Sequence, residues 1–469
     1  MMLLDRRHTA MMLVVMATAT FMDGLDGSIV SIALPEIAED LGVDTATSSW
    51  ATIIYLLTLS ALIVPFARIS AQIGVRPVLA TGLSVFTAGS VLCGLSGSFH
   101  LLIAFRVIQS VGAAMMAAAC PMCCTEHLPL SRLGFGLSVV TIGASLGFAF
   151  GPVVGGAITD LLDWQWIFFI NIPFGVAATA LILKAIPPSG KDRVRPRLDV
   201  PGTIVLCLAV VSGVLGVETL SYNGMLLFSA ACILLCLALL CVFVRLEKKA
   251  PTPLLKTRMF RNLGFSSVFL CLMLVNMSYM GMLYLIPFYG QVALGMSLLK
   301  VGTFLLISAV VTAVVGMPLA RWSDRAGRRW FCVAAGLTIL AAFVLYGLFG
   351  GGMTDPEFLL VAFLQGIGWG FVGGPMASRL VEHAADERDM ASSLMNEAYY
   401  IGGALGTAVA AMLFTILSGA EGVDISLLAP GMFLDGFVPT AFVCGALGAV
   451  IAVLSFVLKD DVKESRQLG

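Results

Sequence analysis

Long apolar runs, separated by short polar or Gly/Pro-rich breaks, make up most of the chain. A helix needs about 20 apolar residues to cross the hydrocarbon core of a bilayer, at about 1.5 Å per residue. Fourteen runs meet this requirement, and their predicted limits are 11–35, 48–70, 77–96, 100–123, 134–158, 165–187, 201–219, 224–245, 264–289, 297–320, 330–350, 357–380, 391–417 and 433–458. The pattern therefore predicts an all-α membrane protein with 14 spans.

Composition strengthens this prediction. Of the 469 residues, 59% are hydrophobic and only 12% are charged, which does not fit a water-soluble protein of this size. The formal net charge is −1, and no block of like charge stands out. We therefore expect membrane lipids around the protein and no nucleic-acid partner.

The Lys and Arg residues indicate how the spans are oriented, because short cytoplasmic loops retain these residues. When the spans alternate across the membrane, all 27 Lys and Arg residues except Arg106 and Lys300 fall on one side. We therefore predict a multi-pass protein of the cytoplasmic (plasma) membrane with both termini cytoplasmic.

An internal repeat and two polar linkers divide the spans into groups of six, two and six. Gln109-Ser-Val-Gly112 in the fourth span is echoed by Gln365-Gly-Ile-Gly368 in the twelfth, and segment 67–76 after the second span is echoed by 320–329 after the tenth. Duplicated halves with an inserted pair produce such a pattern. The predicted domains are an N-terminal six-helix bundle at 1–187, a linker with two extra transmembrane helices at 188–263, and a C-terminal six-helix bundle with a short cytoplasmic tail at 264–469.

Two carboxylates lie deep in the first span. Asp23 and Asp26 are roughly 18 and 22 Å along the predicted helix, and their i, i+3 spacing places them on one face. A charge near the bilayer centre costs a few kcal/mol, so such groups face a cavity, a cation or a proton. The alternative is a structural ion pair or an acid that stays neutral.

Arg106 and Glu397 are further candidates for proton or cation coupling. Arg106 lies at a depth that matches Asp26. Protonation of the aspartate would weaken a pair between them and so link charge to helix packing, but a static bridge fits the sequence equally well. Glu397 lies near the start of the thirteenth span, where it either acts in coupling or reaches back to the interface.

Glycines at close to every fourth residue mark the fifth span, which also contains Pro152. This spacing lets another helix approach closely, and proline bends the segment. The glycines are Gly143, Gly147, Gly151, Gly155 and the adjacent Gly156. Gly402, Gly403 and Gly406 in the thirteenth span predict a second close-packed seam.

A methionine-rich stripe at helical spacing marks the ninth span. Its members are Met273, Met277, Met280 and Tyr284, with Asn276 beside them. Thioethers form an adaptable surface for varied apolar ligands, so this stripe is a candidate wall of a substrate cavity. Lipid-facing or packing residues would show the same pattern.

No pattern indicates catalysis or a cofactor. Cys120, Cys123 and Cys124 lie near His127, but without a second pair they indicate a metal only weakly. The sequence contains no Walker phosphate loop, no zinc-protease helix and no nucleophile elbow. We therefore expect no catalytic residue, no metal site and no cofactor, and favour gradient-driven transport over an enzyme.

Several motifs together resemble the major facilitator superfamily. They are Asp324-Arg325-Ala-Gly327-Arg328-Arg329, Arg106-Val-Ile-Gln109-Ser-Val-Gly112 and the segment Gly147 to Gly156. Leu25-Asp26-Gly-Ser28-Ile29-Val30 in the first span and the segment Asp163 to Gly175 are similar to the fourteen-span drug:proton antiporter branch. The resemblance covers nearly the whole chain.

This resemblance implies two six-helix bundles that rock about a central cavity, with the two extra spans between them. It associates Asp26 with proton or cation handling, Arg106 with coupling, and the glycine-proline span with antiport. It also implies a cytoplasmic gate formed by Asp324, Arg325, Gly327 and Arg328.

The chain departs from the family pattern at several positions. Ala71 and Gln72 replace the Asp and Arg usual in the first-half gate motif, so the ion-pair latch of that motif is absent. Gln165 stands where the family has an arginine between two tryptophans. In the thirteenth span Tyr399 and Tyr400 replace an Arg-Gln pair.

The sequence as a whole predicts a proton-coupled exporter of amphipathic, cationic small molecules that works by alternating access and proton antiport. Tyr399 and Tyr400 beside Glu397 favour a cationic or aromatic substrate through charge and cation–π contacts. The expected partners are a small-molecule substrate, protons and lipids, and the expected state is a monomer. A dedicated metabolite or lipid carrier, including a symporter, and a non-transporting receptor on the same fold are the alternatives.

Overall fold

The computed structural model describes residues 6–43, 45–186, 199–219, 224–250, 253–255, 257–326, 328–384, 387–419 and 425–457. Within these ranges the regular structure is helical, and fourteen helices are long and apolar enough to span a membrane. We number them α1 Arg6–Asp40, α2 Trp50–Ile73, α3 Val75–Gly94, α4 Phe99–His127, α5 Leu130–Leu161, α6 Trp166–Ala185, α7 Val200–Glu218, α8 Leu226–Glu247, α9 Leu263–Ala293, α10 Leu298–Ala326, α11 Arg329–Phe349, α12 Asp355–Glu382, α13 Arg388–Ser418 and α14 Pro430–Val457. The prediction of fourteen spans is confirmed.

Polar caps and turns determine where several helices end. Asn262 accepts a hydrogen bond from the Gly264 amide at the start of α9 (2.9 Å), and Thr354 with Glu357 forms a capping box at the start of α12. Gly74, with φ of 97°, is the only residue between α2 and α3. Glycine tolerates this conformation without the clash that a Cβ would cause.

The helix contacts repeat between the two halves of the chain. In the first half α1 packs against α5 and α6, and in the second half α9 packs in the same way against α13 and α14. The contacts of α4 with α2 and α3 are repeated by those of α12 with α10 and α11. The fold therefore consists of two six-helix bundles, α1–α6 and α9–α14.

The inserted pair α7 and α8 lies at the periphery. Helix α7 contacts α2 of the first bundle and α13 of the second, whereas α8 packs mainly against α7. Exposed leucines cover much of α8. This surface suits contact with lipid chains, while α7 covers the junction between the bundles.

The two ends of the molecule are called the Arg6 side and the Asp40 side, after the two ends of α1. Toward the Arg6 side, α13 is hydrogen-bonded to α4 of the other bundle. Thr125 Oγ1 donates to Asp389 Oδ1 (2.7 Å), Ser393 Oγ to the Ala118 carbonyl (2.8 Å) and Asn396 Nδ2 to the Ala117 carbonyl (2.7 Å). These bonds hold the bundles together on the Arg6 side.

Candidate functional site

Asp26 and Arg106 form an ion pair between α1 and α4. Arg106 Nη1 lies 2.6 Å from Asp26 Oδ2, and both side chains have 0% exposure. The same carboxylate accepts hydrogen bonds from Gln109 Nε2 (2.7 Å) and Asn171 Nδ2 (3.4 Å). The structure therefore places together the two charges whose depths match in the sequence.

The guanidinium of Arg106 is held by neutral groups as well. Its Nε donates to the Ala51 carbonyl (2.9 Å), and its Nη1 also donates to Gln109 Oε1 (2.8 Å). Its Cζ lies 4.3 Å from the centroid of the Tyr55 ring, a cation–π contact. A buried charge is tolerated when it is paired and hydrogen-bonded in this way.

Asp23 is hydrogen-bonded by both bundles. Tyr55 of α2 donates to Asp23 Oδ1 (2.7 Å), and Tyr400 of α13 donates to Asp23 Oδ2 (2.8 Å). Because the Tyr55 ring also contacts Arg106, a continuous series of contacts runs from Asp26 through Arg106, Tyr55 and Asp23 to Tyr400. We call these five residues the Asp26–Tyr400 network.

Glu397 occupies a buried position beside the inserted helix α7. Its exposure is 5%, so the side chain does not reach back to the interface. Within the described part of the chain, its Oε2 has no hydrogen-bond partner. The carboxyl is close enough to Cys207 of α7 and to Tyr400 to interact with them electrostatically.

An aromatic cluster lies where α9, α12 and α13 meet the first bundle. Trp369 stacks on Tyr279 at 4.6 Å between centroids, and its ring lies 5.9 Å from that of Tyr399. Asn276 Nδ2 donates to the Tyr399 carbonyl, and Trp369 Nε1 donates to Ser145 Oγ of α5 (2.7 Å). The cluster therefore contains two of the predicted cavity residues, Asn276 and Tyr399.

The structure also gives the contacts of three further residues of α9 that were predicted for the cavity, Met277, Met280 and Tyr284. A Cβ on Gly406 would meet the Met277 carbonyl, and one on Gly403 would touch the Met280 side chain. These two methionines therefore border the α9–α13 seam. Tyr284 packs edge-on against a neighbouring phenylalanine nearer the Asp40 side.

The glycines of α5 form the seam that supports Asp23 and Asp26. A Cβ on Gly147 would meet the Phe21 carbonyl, one on Gly151 would meet Ser28, and one on Gly155 would meet Ile29. The Phe21–Ile29 segment of α1 is the one that carries both aspartates. By contrast, a Cβ on Gly156 would have nothing within 4 Å, so this glycine lies outside the contact.

The predicted gate residues, at the end of α10, contact both bundles on the Arg6 side. Asp324 pairs with Arg328 (2.8 Å) and accepts a hydrogen bond from the Phe135 amide of α5 (3.3 Å). Arg328 also forms an ion pair with Glu382 of α12. Arg325 is exposed, and Gly327 lies outside the described residues.

Several residues of the site were not among the sequence candidates, namely Tyr55, Gln109, Asn171, Trp369 and Glu382. Each is polar or amphipathic within or beside an apolar span, and Gln109 and Asn171 also lie within the segments that resemble the family. Their partners depend on how each helix is rotated about its axis, which depth in the span does not reveal.

Comparison with known proteins gives matches over nearly the whole chain. The family model of the Major Facilitator Superfamily matches residues 16–407 and 312–468. The chain is 30% identical over 456 residues to the cephamycin export protein CmcT of Amycolatopsis lactamdurans, which covers 94% of this chain and 92% of that protein. It is 28% identical over 433 residues to the uncharacterized transporter YebQ of Escherichia coli, and this match covers 91% of this chain and 93% of that protein.

A solved structure has the same fold. The crystal structure of the human organic anion transporter MFSD10 superposes with a TM-score of 0.66 at 15% sequence identity, over 95% of this chain and 99% of that chain. This likeness concerns the arrangement of the helices.

Proposed function

Because this chain belongs to the Major Facilitator Superfamily, we propose that it exports amphipathic, cationic small molecules in exchange for protons. It is a multi-pass membrane transporter and not an enzyme. The distribution of Lys and Arg favours the cytoplasmic membrane, with both termini and the Arg6 side in the cytoplasm. The name of CmcT, an export protein, supports the outward direction of transport.

The Asp26–Tyr400 network is the observation that best supports proton coupling. A proton on Asp26 removes the charge that faces Arg106, and Arg106 is stacked on the same tyrosine that holds Asp23. Asp23 in turn accepts the hydrogen bond from Tyr400 of the second bundle. Binding of a proton in the first bundle thereby changes a contact between the bundles, as alternating access with antiport requires.

In the proposed cycle, Asp26 takes a proton when the Asp40 side is open, and the bundles then rock to open the Arg6 side. Substrate binding favours release of this proton to the cytoplasm, and the loaded carrier rocks back. Glu397, a membrane-embedded carboxyl in addition to Asp23 and Asp26, contributes to the same charge balance. The α1–α5 glycine seam and the Asp324–Arg328 pair serve as the moving contact and the cytoplasmic gate.

The aromatic cluster supports a cationic substrate. The rings of Tyr279, Trp369 and Tyr399 lie at the junction of the bundles, and Asp23 lies at the same junction. A cation over such rings gains about 2 kcal/mol when it is desolvated. A carboxylate and several aromatic rings together favour organic cations over anions.

A dedicated carrier of one substrate class is the second candidate. The side chain of Met280 borders the α9–α13 seam, which leaves one adaptable side chain fewer for varied ligands. A wide substrate range favours the first candidate, and a single accepted compound favours the second.

Substrate-driven proton flux in proteoliposomes tests the proposal. Wild type and Asp26→Asn are compared across a panel of lipophilic cations and neutral amphiphiles. We expect each transported cation to drive protons in the opposite direction, and we expect Asp26→Asn to lose this flux while substrate binding persists. Proton movement in the same direction as the substrate would replace antiport by symport, and an unchanged flux in Asp26→Asn would remove Asp26 from coupling.

A further inference from the structure

A cavity of about 600 Å³ lies on the Arg6 side, where α5 of the first bundle meets α10 of the second. It is lined by Ser131, Arg132, Phe135, Arg321, Asp324 and Arg325. The transport proposal uses the Asp324–Arg328 pair as the cytoplasmic gate but assigns nothing to the space between the helices.

The charge within this cavity is positive. Asp324 is compensated by Arg328 at 2.8 Å and by the Phe135 amide. Arg132, Arg321 and Arg325 are exposed, and no carboxylate of the described chain lies within ion-pair distance of them. The guanidinium of Arg321 lies 4.3 Å from the Phe135 ring centroid, a contact that holds it at the cavity wall.

Exposed tryptophans indicate the depth of the cavity in the membrane. Trp322, next to Arg321, is 63% exposed, and Trp330 at the start of α11 is 64% exposed. Exposed indole rings on membrane proteins concentrate at the level of the lipid headgroups. The three arginines therefore lie at the headgroup level.

A lipid-facing ridge of α10 leads directly to the arginines. Val310 and Val314 are exposed, and at helical spacing they lie on the same side of α10 as Arg321 and Arg325. A lipid whose acyl chain follows this ridge has its headgroup at the mouth of the cavity.

We propose that this cavity binds the phosphate of an anionic membrane lipid. Arginine recognises phosphate through paired, charge-assisted hydrogen bonds, and basic pockets between membrane helices on the cytoplasmic side suit anionic headgroups. Because Arg132 belongs to α5 and Arg321 and Arg325 belong to α10, one headgroup bridges the two bundles. The bound lipid therefore favours the conformation that is closed on the Arg6 side.

Lipid retention measured by native mass spectrometry tests the site. The protein is purified with phosphatidylglycerol and phosphatidylcholine in equal amounts, and the variant is Arg132→Gln/Arg321→Gln/Arg325→Gln. The matched control, Arg245→Gln/Arg258→Gln/Arg261→Gln, removes three exposed arginines from the same side outside the cavity. We expect wild type and control to retain phosphatidylglycerol and the cavity variant to retain it at least about tenfold less.

Equal retention by all three proteins, or an equal loss in the control, would refute the site. Arg321→Gln alone, checked by circular dichroism, separates loss of binding from misfolding, and we expect intermediate retention for it. A second arm adds inorganic phosphate to protein in phosphatidylcholine nanodiscs. Thermal stabilisation by free phosphate equal to that by phosphatidylglycerol would overturn the lipid assignment in favour of a soluble anion.

A distance measurement tests the bridging of the bundles. Spin labels on the Arg6 ends of α5 and α10 report the separation of the helices in nanodiscs. Phosphatidylglycerol is expected to narrow this distance distribution in wild type and in the control but not in the cavity variant. A lipid effect of equal size in the cavity variant would contradict the bridge.

Discussion

In the Asp26–Arg106 pair, each buried charge is compensated by the other. Gln109, Asn171 and the Ala51 carbonyl satisfy further hydrogen bonds of the pair. Removal of one partner of such a pair costs about 3–5 kcal/mol, because the remaining charge is left buried without compensation. Removal of both charges avoids this penalty, so the two substitutions are not additive.

A double-mutant cycle measures this dependence. Asp26→Asn and Arg106→Gln are each expected to lower the free energy of unfolding, and together by less than the sum of the two, with a coupling of about 1–3 kcal/mol. Thermal and denaturant unfolding in detergent provide the measurement. The control is the exposed pair Lys300–Asp355 (2.7 Å, 42% and 51% exposed), for which Lys300→Gln and Asp355→Asn should couple by less than about 1 kcal/mol. Equal coupling energies in the two cycles would show that burial does not strengthen the interaction between Asp26 and Arg106.

Two tyrosines that bind the same carboxylate allow a sharper comparison. Tyr400→Phe removes a hydrogen bond between the bundles, whereas Tyr55→Phe removes one within the first bundle and keeps the ring over Arg106. A hydrogen bond to a charged group contributes about 1.5–3 kcal/mol, so loss of the Tyr400 bond should raise the population open on the Arg6 side at least about tenfold. Spin-label distances between α4 and α13 report this population. We expect Tyr55→Phe to leave this population unchanged. An equal shift in both variants would contradict the view that the Tyr400–Asp23 hydrogen bond holds the Arg6 side closed.

At the scale of residues, the depth of a side chain in the membrane was predictable from the sequence, but the direction in which it points was not. Residue counting in the spans placed Asp26 and Arg106 at one level, and the structure joins them. Tyr400 was predicted as a substrate-cavity residue, and its hydrogen bond to Asp23 was not foreseen. Its direction depends on the rotation of α13 against α1, which arises from packing between sequence-distant helices.

Glycine seams determine how closely the helices approach at the scale of elements. Gly147 of α5 lies against the Phe21 carbonyl of α1, and Gly406 of α13 lies against the Met277 carbonyl of α9. Without a hydrophobic force between helices in lipid, such close packing is a principal source of their association. Each seam therefore holds together the first and fifth helices of its bundle.

Gly147→Ala and Gly156→Ala make a matched pair within one helix. The first introduces a Cβ against the α1 backbone and should cost about 1–3 kcal/mol of stability and lower transport. The second adds a Cβ in open space and should change stability by less than about 1 kcal/mol, in the stabilising direction, because alanine favours the helix. Thermal unfolding and proteoliposome uptake check both variants. Equal destabilisation would mean that the seam does not depend on close approach at Gly147.

The seams were predictable from glycine spacing, but their exact members and the breaks in other helices were not. Gly156 shares the motif yet points away from α1, because it follows Gly155 by one residue and so faces another direction. In α12 a π-helical turn at Val372–Met376 interrupts the helix around Pro375. The apolar run over this region predicts a continuous span, since hydropathy does not register a change in hydrogen-bond pattern.

At the scale of the molecule, the repeat and the number of spans were predictable, while the conformational state was not. Duplicated motifs indicated two bundles with an inserted pair, and the contacts of α1 and α9 repeat accordingly. The closure of the Arg6 side rests on bonds such as Ser393 to Ala118 between the halves. A transporter sequence must allow both open states, so it does not specify which contacts form in one of them.

A cross-link between the bundles should therefore stop transport. In a background without the native cysteines, Ala118→Cys/Ser393→Cys replaces the 2.8 Å contact between α4 and α13 by a disulfide that prevents rocking. We expect uptake to fall at least about tenfold on oxidation and to recover on reduction, since alternating access requires these helices to separate. The matched control is Ser278→Cys with Cys444 retained, a hydroxyl-to-carbonyl contact of 2.7 Å between α9 and α14 of one bundle. Because each bundle moves as a unit in this mechanism, the oxidised control should keep its transport. Full activity of the oxidised inter-bundle variant, with the cross-link verified by mass spectrometry, would refute a rocking motion at this contact.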